Sequence, residues 1–504
     1  MNTTYPAPPI PAEYQPAMER FHQMLYHLEE RKGADHRAIE SLLEEEGHEV
    51  LRLAFQGWLD ARRREEVSQD VVGEDGKVRT HHREASRVLE TLFGSVEVRR
   101  DQVSGRGMDG RAPMDAALNL PRDSFSFGVR QRVAEAAAIS SYDATSKMMS
   151  STSGAEVAKL QAEVLVRHSV VDFETFYVAQ RNNTPVWSSP LDLLVLSADG
   201  KGIIMRPDGL REQTRKAAEK ARPKLVKRTS KGEKKNRKRM ATVAAVYSLP
   251  LQPRTAADVI GELNGGTPAT NRPRAQHKRV WASIERDART VIEEMFVEAD
   301  LRDPEHTHPW VVLVDGNATQ IRAIRTSAKK HGVEVTLVLD FIHVTEYLWD
   351  AAWCFFKEGD PQAEAWVDER RLRILEGGAV GVAAGMRSSA TKQGLQKRDG
   401  VDKAAAYILG HADMMRYDEY LKAGMPIATG VIEGACRHLV RDRMDATGAR
   451  WGLVGAEAIL KIRSLRSSGD LANYWAFHHH AEWERNHASR YATSELPMPT
   501  RKAA

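Results

Sequence analysis

The sequence has little cysteine and no long apolar run. Its 504 residues include two cysteines, Cys354 and Cys436, which excludes a disulfide framework and a zinc site built from four cysteines. Such low usage is typical of a protein that folds in a reducing cytoplasm. No stretch approaches the roughly 18 apolar residues of a transmembrane helix, and the proline-rich start lacks the basic and apolar regions of a secretory signal. We therefore expect a cytoplasmic protein without a membrane segment.

The chain also lacks a strong net charge, because 73 lysines and arginines stand against 69 aspartates and glutamates. The distribution is uneven, however. Between residues 211 and 240, 14 basic residues face three glutamates. Such a run is either a solvated loop or an arm that contacts DNA phosphates. Its position between two predicted strands favours DNA, and the candidate contacts are Lys234, Lys235, Arg237, Lys238 and Arg239.

The first part of the chain divides by composition. Prolines between Pro6 and Pro16 predict a disordered arm over 1–16. Helical periodicity follows over 17–75, and a small β-hairpin region over 76–127. The region 128–185 resembles a helix-turn-helix, with a first helix opened by 140–145, a turn at 151–154 and a second helix over 155–168. Such a pair can place its second helix in the major groove, although many helical hairpins share the pattern.

Apolar runs separated by helical stretches predict an α/β sheet over 186–343. The predicted strands cover 191–196, 202–205, 241–249, 310–314 and 334–339, with helices over 274–299 and 319–331. The segment 344–425 has a helical pattern throughout. We expect 426–485 to complete the sheet domain and 486–504 to form a tail.

Three acidic residues follow the apolar runs directly: Asp199, Asp315 and Asp340. Sites in α/β sheets form beyond the carboxyl ends of the strands. Carboxylates that converge there need a divalent cation, and their oxygens suit Mg²⁺ or Mn²⁺. A single aspartate before a glycine is usually only a turn. Three of them beside a basic run favour metal-dependent phosphodiester chemistry.

Glu433 is a fourth candidate. On an α-helix, Glu433, Arg437 and Arg441 would share one face. They form either helix-stabilising ion pairs or a metal carboxylate flanked by phosphate-contacting arginines, and the spacing alone does not decide.

Other chemistry-bearing residues give weaker signals. We predict that the three histidines 478–480 lie on a helix surface and do not form a metal site. Cys436 lies near His438, but no residue is defined that would orient a base, so a nucleophile is not supported. The chain has no G-x-x-x-x-G-K-[ST] motif, so ATP use is not supported.

Four motifs occur in order: SADGKG around Asp199, VDGN around Asp315, LDFIHVTEYLW from Leu339, and GVIEGACRHLVRDRM from Gly430. Arg450-Trp451 and a predicted helix over 456–465 extend them. The second aspartate is followed by a D-x-x-H element, Asp340 to His343. With these motifs, over roughly residues 80–485, the chain resembles bacterial insertion-sequence transposases of the DDE type, in the Kra group allied to the Mutator superfamily.

The resemblance implies a multidomain α+β protein. Its RNase H-like α/β core would be interrupted by an all-helical insertion over 344–425 and preceded by helical and helix-turn-helix DNA-binding regions. It maps Asp199, Asp315 and Glu433 onto the metal-binding catalytic triad, which holds two Mg²⁺ or Mn²⁺ ions, with Asp340 and His343 in support. Some relatives carry a cysteine-bearing zinc element near the hairpin. This chain has no cysteine before Cys354, so no zinc is expected.

The implied activity is metal-dependent cleavage at element ends and strand transfer into target DNA. The partners would be double-stranded DNA, as terminal inverted repeats and target, and further copies of the chain in a homodimer or larger synaptic complex. The implied location is the nucleoid of a bacterial cytoplasm. Two alternatives stay open: an RNase H-like nuclease without strand transfer, and a non-catalytic DNA-binding regulator on a transposase scaffold.

Overall fold

A computed structural model of the chain describes residues 10–180, 192–221, 236–266, 273–446 and 448–492. The helices of its first part are α1 (Gln15–Glu30), α2 (His36–Glu65), α3 (Pro113–Ala117), α4 (Phe127–Ala137), α5 (Tyr142–Thr152), α6 (Lys159–His168) and α7 (Phe173–Gln180). The helices that follow are α8 (Glu212–Lys220), α9 (Ala256–Leu263), α10 (Ala288–Arg302), α11 (Ala318–His331), α12 (Phe341–Ala352), α13 (Pro361–Leu375), α14 (Ala379–Lys392), α15 (Asp399–Gly410), α16 (Tyr417–Lys422), α17 (Gly430–Ala435), α18 (Asp442–Met444), α19 (Leu453–Ser468) and α20 (Leu471–Asn486).

The strands are β1 (Val71–Val72), β2 (Val78–Arg79), β3 (His81–Thr91), β4 (Gly94–Gly105), β5 (Met108–Arg111), β6 (Asp192–Ile204), β7 (Lys238–Pro250), β8 (Gln276–Ser283), β9 (Trp310–Val314) and β10 (Val335–Leu339). The chain forms two compact units. The first joins Met1–Phe176 to Leu471–Ala504, and the second is Tyr177–Asp470. Each contains helices and strands, which confirms a multidomain α+β fold at this level.

In the first unit, β3, β4 and β5 form an antiparallel sheet, and β1 pairs with β2. Leu59 of α2 is buried against Leu89, Val96 and Val98 of the sheet. The predicted hairpin region is therefore confirmed, and the predicted helical region 17–75 is confirmed up to Glu65 but wrong at its end, where β1 lies. The predicted arm is wrong at its end, because α1 begins at Gln15 and Pro16 lies in its first turn, where a missing N–H costs nothing.

Helices α5 and α6 confirm a helical pair, with one shifted boundary. The Ser141 hydroxyl accepts a hydrogen bond from the Ala144 N–H and caps α5. The second helix begins at Lys159, four residues later than predicted, since the preceding residues are held in extended form. Gly154 N–H donates to the Leu92 carbonyl at 2.8 Å, and the Ser146 hydroxyl donates to the carbonyl of Val157.

Helix α20 belongs to the first unit, so the prediction that residues up to 485 complete the sheet domain is wrong for this helix. Its aromatic side chains explain why. The Tyr474 hydroxyl donates to the Ser169 carbonyl at 2.8 Å, and the Trp483 indole N–H donates to the Ala116 carbonyl at 3.0 Å. The predicted tail is also partly ordered, because Tyr491 is buried in the same unit.

The second unit contains a five-stranded sheet in the order β10-β9-β6-β7-β8. Strands β6, β9 and β10 are parallel, and β7 is antiparallel to β6 and to β8. The strand predicted at 202–205 is the end of β6. The helix predicted over 274–299 is wrong in its first part, where β8 buries Val280 and Trp281 against β7. The predicted strands at 310–314 and 334–339 and the helix at 319–331 are confirmed.

Helix α19 covers the free edge of β8. The Ser464 hydroxyl accepts from the Ala282 N–H at 3.3 Å, and the Glu457 carboxylate accepts from the Ile284 N–H at 2.8 Å. An uncovered edge would leave these N–H groups without partners. The sheet therefore ends without an open edge on this side.

Helices α12 to α16 fill the stretch between β10 and α17, which confirms the helical pattern predicted over 344–425. In the part of the chain that the structure describes, no helix is both long and apolar enough to cross a membrane.

Candidate active site

Asp199 and Asp315 lie at the same level on two adjacent parallel strands. The last register pair between β6 and β9 is Ser197 with Leu313, and each aspartate comes two residues later. Neighbouring strands are about 4.8 Å apart, so the two backbones are close. The sequence predicts Asp199 after the end of a strand, but Asp199 lies inside β6. The strand is longer than predicted because its pairing with antiparallel β7 continues to Ile204.

Asp340 follows the last residue of β10 and is 1% exposed. Its N–H donates to the Val314 carbonyl of β9 at 2.8 Å. Its carboxylate accepts hydrogen bonds from the Thr429 hydroxyl and from the Ile342 N–H, which caps α12. Burial raises the pKa of Asp340 despite these bonds. The residue therefore joins the end of the sheet to α12 and to the segment before α17.

Glu433 lies on α17, and its side chain is exposed. Partial desolvation raises the pKa of Glu433, and the nearby carboxylates of Asp340, Glu346 and Asp199 raise it further. A carboxyl group whose ionisation is opposed by three neighbouring acids belongs to their cluster. The structure thus places Glu433 with two of the predicted aspartates and with Glu346, which the sequence reasoning missed.

Cys436, one turn after Glu433, contacts Asp199 directly. Its thiol donates to Asp199 Oδ2 at 3.2 Å. Burial raises the pKa of the Cys436 thiol, and the Asp199 charge raises it further. The thiol therefore stays protonated and orients the carboxylate, which agrees with the absence of a nucleophile signal. Nothing in the sequence spacing indicated this contact.

The helix that follows Glu433 changes its winding. Residues Cys436–Arg441 are π-helical, so hydrogen bonds run from i to i+5 and the i, i+4, i+8 face predicted for Glu433, Arg437 and Arg441 is not formed. Both arginines are exposed, and Arg437 Nε lies 3.6 Å from the Asp442 carboxylate. The arginines therefore point to solvent on a distorted helix, and π-helical turns are frequent at functional sites.

The turn after Asp315 is held by residues of α15 and its C-terminal end. This helix belongs to the helical segment 344–425, which we call the helical block. The Tyr407 hydroxyl donates to the Asp315 carbonyl at 2.9 Å, and His411 Nε2 lies 3.2 Å from the Gly316 carbonyl. Gly316 has φ of +89°, and a Cβ there would lie 2.8 Å from a Tyr407 ring carbon. Only glycine fits this close approach. Sequence reasoning missed both partners, because they lie about 90 residues further along the chain.

If the Asp315 turn belongs to the metal-dependent cleavage site that the sequence predicts, Tyr407→Phe should lower the rate of that cleavage by about three- to tenfold, the range expected for one hydrogen bond. The substitution removes the hydroxyl that fixes the Asp315 turn and leaves the ring. Tyr420→Phe is the matched control, since its hydroxyl donates to the Leu337 carbonyl inside β10 at 3.2 Å. Single-turnover cleavage rates test this. Equal losses in both variants would show that Tyr407 only stabilises the fold.

His343 lies on the first turn of α12, with 39% of its side chain exposed. Its Nδ1 is 3.7 Å from Glu346. Burial raises the pKa of Asp340 and of Glu433, and the charge of the imidazole acts on both in the opposite direction. The structure thus brings His343 to the acidic cluster.

The basic run divides into three parts. Lys234 and Lys235 lie outside the described residues. Arg237 and Lys238 are exposed. Arg239, at the start of β7, donates to the carbonyls of Ile284 at 2.7 Å and Gly209 at 3.2 Å. Its guanidinium therefore holds two loops together, and its contact with DNA stays a prediction.

A second cluster of metal-ligand types occurs in the first unit. Ligand atoms of Asp172, His478 and Glu482 all lie within 4.8 Å of one another, and the residues are buried. The prediction that His478 lies on a helix surface is therefore wrong. Asp172 accepts from His478 at 2.7 Å and from Arg485 at 2.9 Å, and Glu482 accepts from Arg130 at 3.1 Å. Because arginines occupy these carboxylates, the cluster is an ion-pair network.

Asp172→Asn should lower the free energy of unfolding by about 2 kcal/mol, the value of hydrogen bonds to a charged group. Burial opposes the Asp172 charge, but hydrogen bonds from His478 and Arg485 prevail and lower its pKa to about 2. An unfolded aspartate has a pKa of about 3.9. The stabilisation is therefore complete above about pH 4 and is lost as the pH falls towards about 2.

Urea unfolding of the full chain at pH 7 and at low pH tests this prediction. The difference between wild type and variant should shrink at low pH. Asp143→Asn is the control, since its pair with Lys147 at 3.0 Å is exposed, and exposed pairs contribute little. A cost equal to that of the control would mean that the network does not stabilise the unit.

The predicted acids lie near the carboxyl ends of β6, β9 and β10, but their carboxylates do not all contact one another. Among the residues that the structure describes, the carboxylate oxygens of Asp199, Asp315 and Glu433 are not all within 4.8 Å of one another. Asp315 uses one oxygen to accept the Asn317 N–H at 2.8 Å. Comparison of the chain with protein-family models and with curated proteins finds no match.

Proposed function

We propose that the chain is a DNA transposase of the DDE type, which cuts DNA at the ends of a mobile element and joins them to a target. The observation that carries the proposal is the placement of its acids. Asp199 lies on the central strand β6, Asp315 follows the adjacent parallel strand β9, and Glu433 follows the helical block on α17. This matches the order implied by the resemblance, an RNase H-like core with an insertion over 344–425.

The site offers carboxylate oxygens, the donors that Mg²⁺ and Mn²⁺ prefer. Partial burial raises the pKa of Glu433 and the neighbouring acids raise it further, and a bound cation would relieve the repulsion among the acids. Asp199, Asp315 and Glu433 would hold two such ions. When bound, the ions would activate the attacking oxygen and stabilise the leaving oxygen.

The remaining residues position these ligands. Cys436 orients the Asp199 carboxylate through its thiol, and Tyr407 fixes the backbone that carries Asp315. In the first step, water attacks the phosphorus at the element end, and the P–O3′ bond breaks to leave a 3′-OH and a 5′-phosphate. In the second, that 3′-OH attacks a target phosphodiester, so one P–O bond forms and another breaks.

Two element ends must be paired, so a homodimer or larger synaptic complex is part of the proposal. Helices α5 and α6 would read the terminal inverted repeats. Their exposed side chains, such as those of Lys147 and Leu160, are available to a partner.

The test is cleavage of a duplex that carries the inverted repeats flanking the coding sequence, with Mg²⁺ and with a chelator. The expected result is Mg²⁺-dependent nicking at the repeat, followed by joining of the 3′-OH to a second duplex. Cleavage without joining would indicate a nuclease instead. End binding with neither reaction would indicate a regulator.

Replacing Lys234, Lys235, Arg237 and Lys238 with glutamine should weaken binding to all DNA sequences about equally. Each lost phosphate contact should flatten the slope of log K against log[salt] by about 0.9. Arg239 is left in place, because it holds backbone carbonyls. Fluorescence anisotropy over a range of salt concentrations measures the slope, and Lys357→Gln, an exposed lysine of the helical block, is the control. An unchanged slope would show that the run is a solvated loop.

A further inference from the structure

The first unit contains a polar cavity of about 210 Å³. Its walls come from β3, β4, the segment around residues 120–122 and the end of the chain after α20. Four arginines line it: Arg87, Arg100, Arg122 and Arg490. The imidazole of His487 adds a further nitrogen-bearing ring, and Asp115 is the single carboxylate among these lining residues. The cavity wall therefore carries a clear excess of positive charge.

The positive charge of Arg87 is compensated only at a distance. Arg87 uses Nη1 to donate to the Pro121 carbonyl at 2.6 Å. Its Nε and Nη2 are buried and make no hydrogen bond within the described part of the chain. Asp115 lies 2.8 Å from Arg100 but 4.0 Å from Arg87, so it compensates mainly Arg100. Buried donors without acceptors are costly and uncommon in folded proteins.

The ionisation of the wall confirms its electrostatic strain. Burial lowers the pKa of Arg87, the charges of Asp115 and Asp123 raise it, and those of Arg100 and Arg130 lower it. Burial also lowers the pKa of Arg490, and Arg111 and Arg122 lower it further. Positive groups that oppose one another in a confined polar space favour an anion between them.

We infer that this cavity binds a phosphate group. Arginine side chains around one cavity can together offer the several N–H donors that the oxygens of a tetrahedral oxyanion accept. Arg490 and the exposed Arg122 complete the wall and the rim. The volume is several times the roughly 30 Å³ that one water occupies in the liquid. The phosphate is either free inorganic phosphate or a phosphodiester of the DNA backbone.

Isothermal titration of the full chain with sodium phosphate, against sodium chloride at equal ionic strength, tests the inference. Saturable binding of one phosphate per chain is expected. Arg122→Gln and Arg490→Gln should each weaken it by about tenfold or more, as expected for a lost charged hydrogen bond. Arg106→Gln, which removes an exposed charge at the β4–β5 turn, should leave it unchanged. Melting temperatures show whether each variant is folded, and the rim residue Arg122 provides the test if Arg490→Gln is not.

A short DNA duplex distinguishes the two sources. If it displaces phosphate and Arg122→Gln weakens its binding, the ligand is a backbone phosphodiester. If phosphate binds without affecting the duplex, the ligand is free phosphate. The inference would be overturned if phosphate gave no more saturable binding than chloride. It would also be overturned if Arg106→Gln weakened phosphate binding as much as Arg122→Gln does. Since the assay needs no cleavage, its failure is independent of the proposed transposase activity.

Discussion

Asp199→Asn, Asp315→Asn and Glu433→Gln will each lower Mg²⁺-dependent cleavage by on the order of 10³-fold or more, the size seen when an essential catalytic group is removed. Each change keeps the shape of the side chain and removes the charge that would hold a cation. Binding of DNA that carries the element ends should be largely intact, because the proposal assigns recognition of the inverted repeats to α5 and α6. Gel analysis of single-turnover cleavage measures the loss, and electrophoretic mobility shift measures binding.

Glu358→Gln serves as the matched control, because Glu358 is an exposed acid of the helical block. It should cleave at the wild-type rate. Near-normal Mg²⁺-dependent cleavage by any one of the three variants would remove that residue from the triad. A loss of end binding in all three would point instead to a damaged fold.

His343→Ala should lower the cleavage rate by about 10²-fold, the size typical of a positioned acid–base group. The imidazole lies 3.7 Å from Glu346. Burial raises the pKa of both Asp340 and Glu433, and the charge of the imidazole acts in the opposite direction. It can therefore orient one of the acids. The melting temperature and the end affinity should not change, since the side chain is partly exposed and removes little buried surface.

His438→Ala is the control for this variant. His438 is also exposed, 65% at its side chain, and lies 3.2 Å from an acid, Asp442. The pH profile of cleavage should change in His343→Ala and not in the control. If His343→Ala unfolds early while its folded fraction cleaves normally, the residue belongs to the scaffold.

The positions of Asp315 and Asp340 could be predicted, because β9 and β10 are short apolar runs that end where the polar residues begin. Asp199 was predicted at a strand end and lies inside one. Its strand continues because β7 pairs with it on one side, and pairing with a distant strand leaves no mark in the local pattern. The same holds for β8, whose first residues, Gln276 to Arg279, are polar and resemble a helix start.

The contacts that shape the site were not predictable from spacing. Cys436 meets Asp199 across 237 residues, and Tyr407 meets the Asp315 turn across 92. The π-helical turn at 436–441 inserts into a sequence that is compatible with a regular α-helix. Each depends on tertiary packing, which overrides local preference.

The composition of the first unit has a consequence for synthesis. A ribosome releases the chain from its N-terminus, and domains generally fold as they emerge. Here helices α1 to α6 of the first unit are made before the second unit, and α20 of the first unit is made after it. Until α20 emerges, the Ser169 and Ala116 carbonyls lack the Tyr474 and Trp483 donors. A nascent chain or a product truncated before Leu471 therefore presents an unfinished first unit to proteases.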